Sequence, residues 1–414
     1  MSRIKDISLA NQGIKKILWA YDHMAVLKKL DERFRRERPL LNFSIGMSIH
    51  MEAKTARLAL LLKELGASVY ATGCNPLSTQ DDVAAGLTSM GIDVFAIHGA
   101  SPQEYKENLL EVLDREPDLI IDDGGDLFEA YYNLQDFHKW PIIGGCEETT
   151  TGITRLRAYE KLGPLPFPVI NVNDAKCKHL YDNVYGTGQS TVNAIMNTTN
   201  NTIAGKTIVI AGYGYCGKGI AKRMHGMGGC IIITEIDPVK AIEAKLEGYE
   251  VMTMDEAALQ GDFFITATGC KDVITDKHFP LMKNNAILCN SGHFDVEINL
   301  NDLAAMSSDI RERRDNITGY RLDPSGKVIN VLAEGRLVNL AAGNGHPAEI
   351  MDTSFALQTL SLLYLVKNQH KLAKNLYDVP DSIDQNVARL KLQTMGVTID
   401  TLTDAQREYL GLGT

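Results

Sequence analysis

No stretch of this 414-residue sequence is apolar for long enough to cross a bilayer, and Met1-Ser2-Arg3-Ile4-Lys5-Asp6 lacks the apolar centre of a secretion signal. The cytoplasm is therefore the expected location. Positive charge is also scarce: 42 Lys and Arg face 52 Asp and Glu, a formal net charge of -10. Nucleic-acid and anionic-membrane surfaces need clustered cations, so neither partner is expected. The one basic run, Arg33 to Arg38, reads as a solvated helix face. Seven cysteines, at 74, 146, 177, 216, 230, 270 and 289, are odd in number and form no Cys-x-x-Cys pair. That excludes a disulfide framework and a zinc knuckle and leaves reduced thiols. Repeats and low-complexity segments are missing as well.

What is present is an ordinary globular composition, 44% hydrophobic and 23% charged, on a chain too long for one core. Residues 20 to 130 alternate strand-like and helical patterns. Phe43 to Ile49 predicts a strand, Ala56 to Leu65 a helix, Ser68 to Ala71 a strand, Asp81 to Met90 a helix and Leu119 to Ile121 a strand. Such a rhythm means a parallel sheet wrapped by helices, with ligands at the carboxyl ends of its strands. A second unit of the same kind starts near residue 190, with Lys206 to Ile210 as its first strand. Asp182 to Gly188 and Gly343 to Pro347 are the expected hinges between the two. Beyond Tyr364 the pattern turns helical and charged, as a short appendage would.

The second unit opens on Ala211-Gly212-Tyr213-Gly214-Tyr215-Cys216-Gly217, between an apolar strand and a helical stretch. Gly212 permits the tight turn, Gly214 lets backbone approach a pyrophosphate, and Gly217 lets helix and strand pack closely. The next strand, Cys230 to Thr234, ends on Glu235, eighteen residues beyond Gly217, where a carboxylate accepts from ribose hydroxyls. Strand, loop, helix, strand and acid in that order predict a dinucleotide site. Ile236-Asp237-Pro238 follows instead of an arginine, so a 2′-phosphate would meet negative charge. NAD is the expected cofactor.

Polar clusters interrupt the apolar strands at Ser48-Ile49-His50, Asn75 to Asp81, Asp122 to Asp126, Glu147 to Thr151 and Asn171 to Lys178. Buried polar groups are costly without partners, so clusters at strand ends commonly face a ligand. Taken singly, each also reads as a turn or a cap; Ser78 or Asp81 could simply start the helix that follows.

Together, Asn75 to Asp81, Asp122-Asp123-Gly124-Gly125-Asp126, Glu147-Glu148-Thr149-Thr150-Thr151-Gly152, the Gly212 loop, Asn290-Ser291-Gly292-His293-Phe294-Asp295 and Glu334 to Leu340 closely resemble the adenosylhomocysteinase family, over nearly the whole chain. The resemblance implies two doubly wound Rossmann-like α/β domains with a short helical C-terminal appendage. It places a substrate-binding domain at 1–183 and 347–372, an NAD-binding domain at 184–346, and an oligomerisation segment at 373–414, with a homotetramer as the assembly. The implied reaction cleaves the thioether between a nucleoside and homocysteine. Bound NAD oxidises the ribose 3′-hydroxyl, which acidifies the 4′-hydrogen; homocysteine is eliminated, water adds and the hydride returns.

Carried over position by position, the resemblance gives Lys178 and Asp182 the 3′-hydroxyl, with the lysine as base in an enclosed or electropositive setting. His50 and Asp123 share the proton transfers at the 4′ and 5′ positions. Glu148 grips the ribose hydroxyls, and His293 and His346 line the site. Thr149, Thr150, Thr151, Asn183, Glu235, Asn290 and Asn339 contact the cofactor beside Gly212, Gly214 and Gly217. No metal-ligand spacing is evident.

The sequence departs from the family pattern His-x-Thr-x-Glu-Thr at His50-Met51-Glu52-Ala53-Lys54-Thr55, where the family reads the adenine edge. An acceptor has become an obligate donor at Lys54. Hypoxanthine offers a carbonyl oxygen to Lys54 and a ring N–H to Glu52, so the swap favours S-inosylhomocysteine. Two other placements fit the same residues: mutual pairing or exposure at a helix start, and adenine read with Lys54 on the ring nitrogen and Glu52 on the amino group. The segment ending at Tyr409-Leu410-Gly411-Leu412-Gly413-Thr414 also lacks the family's Lys- and Tyr-containing tail, which implies weaker NAD retention.

Overall fold

A computed structural model describes residues 2–135, 139–369 and 371–412. The architecture is α/β, with two eight-stranded sheets. Within the first, Leu119 and Ile121 point to one apolar layer and Ile120 to the other, the period-two pattern of a strand buried on both faces. In the second, Ile208 and Ile210 face one layer and Val209 the opposite one.

The first sheet runs, edge to edge, Arg3–Ile4, Asp93–Ala96, Ser68–Thr72, Ser44–Ser48, Leu119–Asp122, Gly144–Glu147, Val169–Asn171 and Leu376–Asp378. Every neighbouring pair is parallel. Strand order reverses between Ser44–Ser48 and Leu119–Asp122, which opens a crevice at their carboxyl ends. His50 leaves one of these strands and Asp123 the other.

The second sheet runs Glu250–Val251, Cys230–Thr234, Thr207–Ala211, Phe263–Thr266, Ile287–Asn290, Val328–Leu332, Ile317–Leu322 and Ser307–Arg314. Its last two strands are antiparallel additions, and the edge strand carries Arg311, Glu312, Arg313 and Arg314, exposed charges that blunt it against further pairing.

The chain crosses between the sheets through a continuous helical run: Lys176–Lys178, wide π turns over His179–Gly186, then Thr187–Thr199. The amide of Thr187 reaches back five residues to the carbonyl of Asp182. The first expected hinge is thus helical, and π turns of this kind recur at functional sites. The chain returns through a loop into Ala348–Lys367, a helix buried nearly all round. Its Asp352 carboxylate accepts from the amides of Val26 and Leu27, both at 2.9 Å, and so caps the helix Ala25–Phe34.

The expected boundary at 372/373 falls inside a packed layer. Leu376–Asp378 pairs with Val169–Asn171, and the Asp384 carboxylate accepts from Lys176 and Cys177, both amides at 2.9 Å. The helix Asp381–Thr394 therefore belongs with the first sheet, while Asp404–Tyr409 buries no residue. The basic run at Arg33 to Arg38 is exposed at its arginines, and all seven cysteines are free. Among the described residues, no helix is long and apolar enough to cross a membrane.

Candidate active site

Two acidic-basic groups meet where the carboxyl ends of the first sheet face the crossing helices. In the first, His50 turns its Nδ1 to Ser78 Oγ at 2.6 Å and its Nε2 to Asp123 Oδ2 at 3.7 Å. Burial, with the charges of His346 and Lys54, pushes His50 down to about 3, so its ring is neutral across the physiological range. Burial raises the Asp123 carboxyl, against the pull of His293 and Lys178. His293 adds its Nδ1 4.0 Å from Asp123 Oδ1, and its own pKa is lowered by burial. Gly124 makes room for that ring: a Cβ there would lie 2.5 Å from His293 Nε2.

The second group centres on Lys178, whose Nζ donates to Asn183 Oδ1 at 2.9 Å and lies 3.4 Å from Asp182 and 3.6 Å from Glu148. Burial opposes its charge, but Asp182, Glu148 and Asp123 outweigh it and raise its pKa above the usual lysine value. The setting is enclosed, as expected, yet electronegative: Lys178 holds its proton at rest. Burial would raise Asp182 too, but Lys178 and His346, whose Nδ1 is 3.2 Å away, hold it below the usual carboxylate range. Glu148 goes the other way, pushed by burial up to about 7 against the pull of Lys178.

Sequence reading missed the supports beneath these carboxylates. Ser354 donates to Asp182 at 3.1 Å and Gln358 to Glu148 at 2.5 Å, one helical turn apart on Ala348–Lys367. The available signal was two polar residues spaced i, i+4 in an apolar helix. In the sequence Glu147 stands out only as part of a polar cluster. Its Oε1 accepts from the amides of Gly124 and Thr149 and from the Thr149 hydroxyl, all at 2.9 Å, and so ties the Asp123 loop to the Glu148 loop.

Glu52 and Lys54 are buried and pair with each other at 2.5 Å. Glu52 also caps the helix Ala53–Glu64, accepting from the amides of Lys54 and Thr55. Lys54 reaches the carbonyl of Asn344 at 2.7 Å, in the loop returning from the second sheet. Thr55 is buried behind them.

The glycine loop has the shape a dinucleotide needs. Gly212 sits at φ +92°, a left-handed conformation, and a Cβ on Gly217 would lie 2.0 Å from the Gly212 carbonyl. The helix Tyr215–Gly226 starts with no side-chain cap, which leaves its first amides for an anion. Burial would raise Glu235, but bonds from the amides of Tyr213, Asp237 and Ile236 lower it, so it is charged where a 2′-phosphate would come. Asn339 donates to Ser190 at 2.9 Å, and its buried Oδ1 has no hydrogen-bond partner among the described residues. These features fit NAD. The same helix touches the crossing run, since a Cβ on Gly219 would lie 2.0 Å from the Val184 carbonyl, next to Asn183.

Not every expected cofactor residue offers a free side chain. Asn290 accepts from Thr266 Oγ1 and the Gly292 amide and donates to the carbonyls of Gly292 and Phe294, so its side chain ties its own loop to the neighbouring strand Phe263–Thr266. Thr149 caps the helix Thr150–Leu162, with Thr150 exposed and Thr151 half-buried at its start. A grouping that spacing could not reveal also emerges: ligand-capable atoms of His50, Cys74 and Asp123 all lie within 4.8 Å of one another.

Residues 1–138 match the family model described as S-adenosyl-L-homocysteine hydrolase, and residues 183–345 match its NAD binding domain. The chain is 52% identical to the S-inosyl-L-homocysteine hydrolase of Methanococcus maripaludis, over 99% of this chain and 98% of that protein. It is 53% identical to the adenosylhomocysteinase of Thermotoga maritima, over 97% of this chain and 99% of that one. The S-inosyl-L-homocysteine hydrolase of Methanocaldococcus jannaschii stands at 52%, over 99% of this chain and 98% of that protein.

Proposed function

Because the chain belongs to the S-adenosyl-L-homocysteine hydrolase family, we propose that it is an NAD-containing hydrolase of nucleosyl-homocysteine thioethers that prefers the inosyl substrate. The observation that carries the chemistry is the pairing of the His50–Asp123 group, with its neutral imidazole, with the Lys178–Asp182–Glu148 group in one buried crevice. NAD, held by the Gly212 loop, Glu235 and Asn339, supplies a reversible hydride acceptor for the ribose 3′ carbon.

The chain's own part is to bind the ribose and move protons. Lys178 and Asp182 hold the 3′-hydroxyl, and Glu148 grips the ribose. Since Lys178 is charged at rest, it becomes a base by passing a proton to Glu148, whose carboxyl titrates near neutrality. With its ring neutral, His50 works beside Asp123 to take the acidified 4′ proton and to protonate the departing homocysteine sulfur. The same two groups deliver water in the next step. His293 and His346 close the crevice against bulk water.

Base selectivity rests on Glu52 and Lys54. Hypoxanthine's carbonyl accepts from Lys54 and its ring N–H donates to Glu52. An unmatched buried polar group costs about 1–3 kcal/mol, a discrimination of roughly 5- to 150-fold. Whole-chain identity does not choose between the two nucleosides, since relatives of both names stand at 52% and 53%. Family resemblance extends the proposal to a cytoplasmic homotetramer. The test is homocysteine release from the adenosyl and inosyl thioethers, measured side by side with NADH absorbance. Equal or better efficiency on the adenosyl compound overturns the base preference, and stoichiometric NADH overturns the hydrolase.

A further inference from the structure

We propose that Arg155 is a positioning residue that clamps the Asp123 loop against the His293 loop and so keeps the oxidised sugar in the crevice until the hydride returns. This role rests on the hydrolase proposed above. Arg155 stands half-buried on the helix Thr150–Leu162, and its Nη1 donates to the Gly124 carbonyl at 3.0 Å and to Asp126 Oδ1 at 2.5 Å. Two consecutive left-handed glycines, Gly124 at φ +106° and Gly125 at φ +85°, follow Asp123, and such backbone has little stiffness of its own. A guanidinium fixed on that carbonyl, and on the first residue of the helix Asp126–Tyr132, supplies what glycine lacks. The Tyr105 hydroxyl meets the other Asp126 oxygen at 2.8 Å, so the anchor is itself held.

The same guanidinium lies over the ring of Phe294, 5.3 Å from its centroid and within cation–π range. Phe294 comes from the other half of the crevice, in the loop after the strand Ile287–Asn290, and that loop is stiff. Asn290 donates to the Phe294 carbonyl at 2.8 Å. Buried Glu297 accepts from the amides of Thr268 and Gly269, both at 2.9 Å, and from the Thr268 hydroxyl at 2.6 Å. Gly292 makes room for that carboxylate, since a Cβ there would lie 1.9 Å from Glu297 Oε1. Phe294 meets His293 edge-on with centroids 4.7 Å apart, and His293 Nδ1 lies 4.0 Å from Asp123 Oδ1. Arg155, Phe294, His293, Asp123 and Gly124 thus close a ring of contacts across the crevice. None of the Arg155 hydrogen bonds goes to His50, Asp123, Lys178 or Asp182.

Such a clamp matters most between the two hydride transfers. Oxidation moves a hydride from the ribose 3′ carbon to the cofactor and the hydroxyl proton to the base, which leaves a 3′-ketone and NADH. The last step reverses both transfers. A ketone that leaves in between is a nucleoside two electrons more oxidised; those electrons stay behind in NADH, and the subunit stops. Because Arg155 bonds to no reacting group, its loss leaves the first oxidation possible while the two loops are free to part. The effect therefore falls on how often the ketone escapes.

The experiment compares the NAD-loaded parent with Arg155→Leu, Phe294→Leu and the double variant, on whichever nucleosyl thioether the parent turns over faster. Homocysteine release and NADH absorbance are followed in one sample, and oxidised nucleoside is assayed in the filtrate. Arg155→Leu should strand about tenfold or more NADH per homocysteine released, matched mole for mole by oxidised nucleoside, since a charge-assisted bond and a ring contact are lost together. Phe294→Leu keeps an apolar side chain and the Arg155 hydrogen bonds, and should strand about two- to fivefold more than the parent. The double variant should strand no more than Arg155→Leu, because the ring acts through the guanidinium. Slower turnover with an unchanged ratio of NADH to homocysteine overturns the clamp and leaves both residues a packing role, and effects that multiply in the double variant overturn it too. If Arg155→Leu does not fold, Phe294→Leu decides by the same ratio. A parent that releases no homocysteine overturns the hydrolase and the clamp with it, whereas an active parent beside variants that strand no extra NADH overturns the clamp alone.

Discussion

The side-chain amide of Gln358 donates to the carboxylate of Glu148 at 2.5 Å, across 210 residues of sequence and with both groups buried. Burial pushes Glu148 up to about 7, and this bond is one of the contacts that keep it from going higher. Gln358→Leu removes a donor to a buried charge, worth about 1.5–3 kcal/mol. The limb of the pH profile of kcat/KM that reports Glu148 should move up by about one pH unit or more, with roughly a tenfold loss of activity at neutral pH. An unmoved limb would leave Gln358 a packing role only.

His50 gives a signature in stability. Its ordinary value of 6.5 falls to about 3 in the fold, so between those limits the unfolded chain binds a proton that the folded chain refuses. Stability is therefore full above pH 6.5 and is lost as pH falls toward 3. Glu148 has the opposite sign: raised from 4.5 to about 7, it makes the fold less stable as pH rises through that window. The two oppose each other between about 4.5 and 6.5, so the difference between variant and parent isolates each. Thermal unfolding of His50→Asn should fall less steeply than the parent's as pH drops below 6.5. Parallel curves would contradict a buried, neutral His50.

Much of this arrangement was legible in the sequence because strands and loops write their chemistry locally. The run Lys206 to Glu235 carries strand, glycine turn, helix, strand and acid in one contiguous stretch, and the observed strands Thr207–Ala211 and Cys230–Thr234 lie within a residue of the expected ones. Gln358, Ser354 and Cys74 were not legible as site residues, because their partners lie 210, 172 and 49 residues away and only the folded sheet brings them together. Leu376–Asp378 hid for a different reason: two half-exposed residues and one exposed one at a sheet edge carry too little periodicity to announce a strand. Asn290 illustrates the converse, a position whose resemblance implied a ligand contact while its amide is engaged by its own loop and by Thr266 of the neighbouring strand.

The buried Glu52–Lys54 pair makes the base preference testable by substitution. Lys54→Glu alone places two carboxylates where an ion pair stands at 2.5 Å, which should cost about 3–5 kcal/mol and lower the unfolding temperature sharply. Glu52→Thr/Lys54→Glu restores the family's pattern without the clash of charge. It should recover stability and shift the ratio of kcat/KM toward the adenosyl thioether by about tenfold or more. A double variant that is stable yet keeps the parent's ratio would show that the pair serves the helix start and not the base.

Gly217 tests the cofactor half independently of the substrate half. A Cβ at this position would lie 2.0 Å from the carbonyl of Gly212, a backbone atom that can retreat only by opening the loop. Gly212 is itself held in the left-handed region at φ +92°, and its amide is bonded to the Thr234 carbonyl at 2.8 Å, so the turn has little room to relax. Overpacking of this kind costs about 1–3 kcal/mol or more, and here it falls on the amides proposed to receive the pyrophosphate. Gly217→Ala should therefore be purified with much less NAD than the parent. Added NAD should restore homocysteine release only at concentrations raised by about tenfold or more, whereas the pH limbs assigned to His50 and Glu148 should not move. Full NAD content in Gly217→Ala would mean that the loop opens without loss and that the pyrophosphate is held elsewhere.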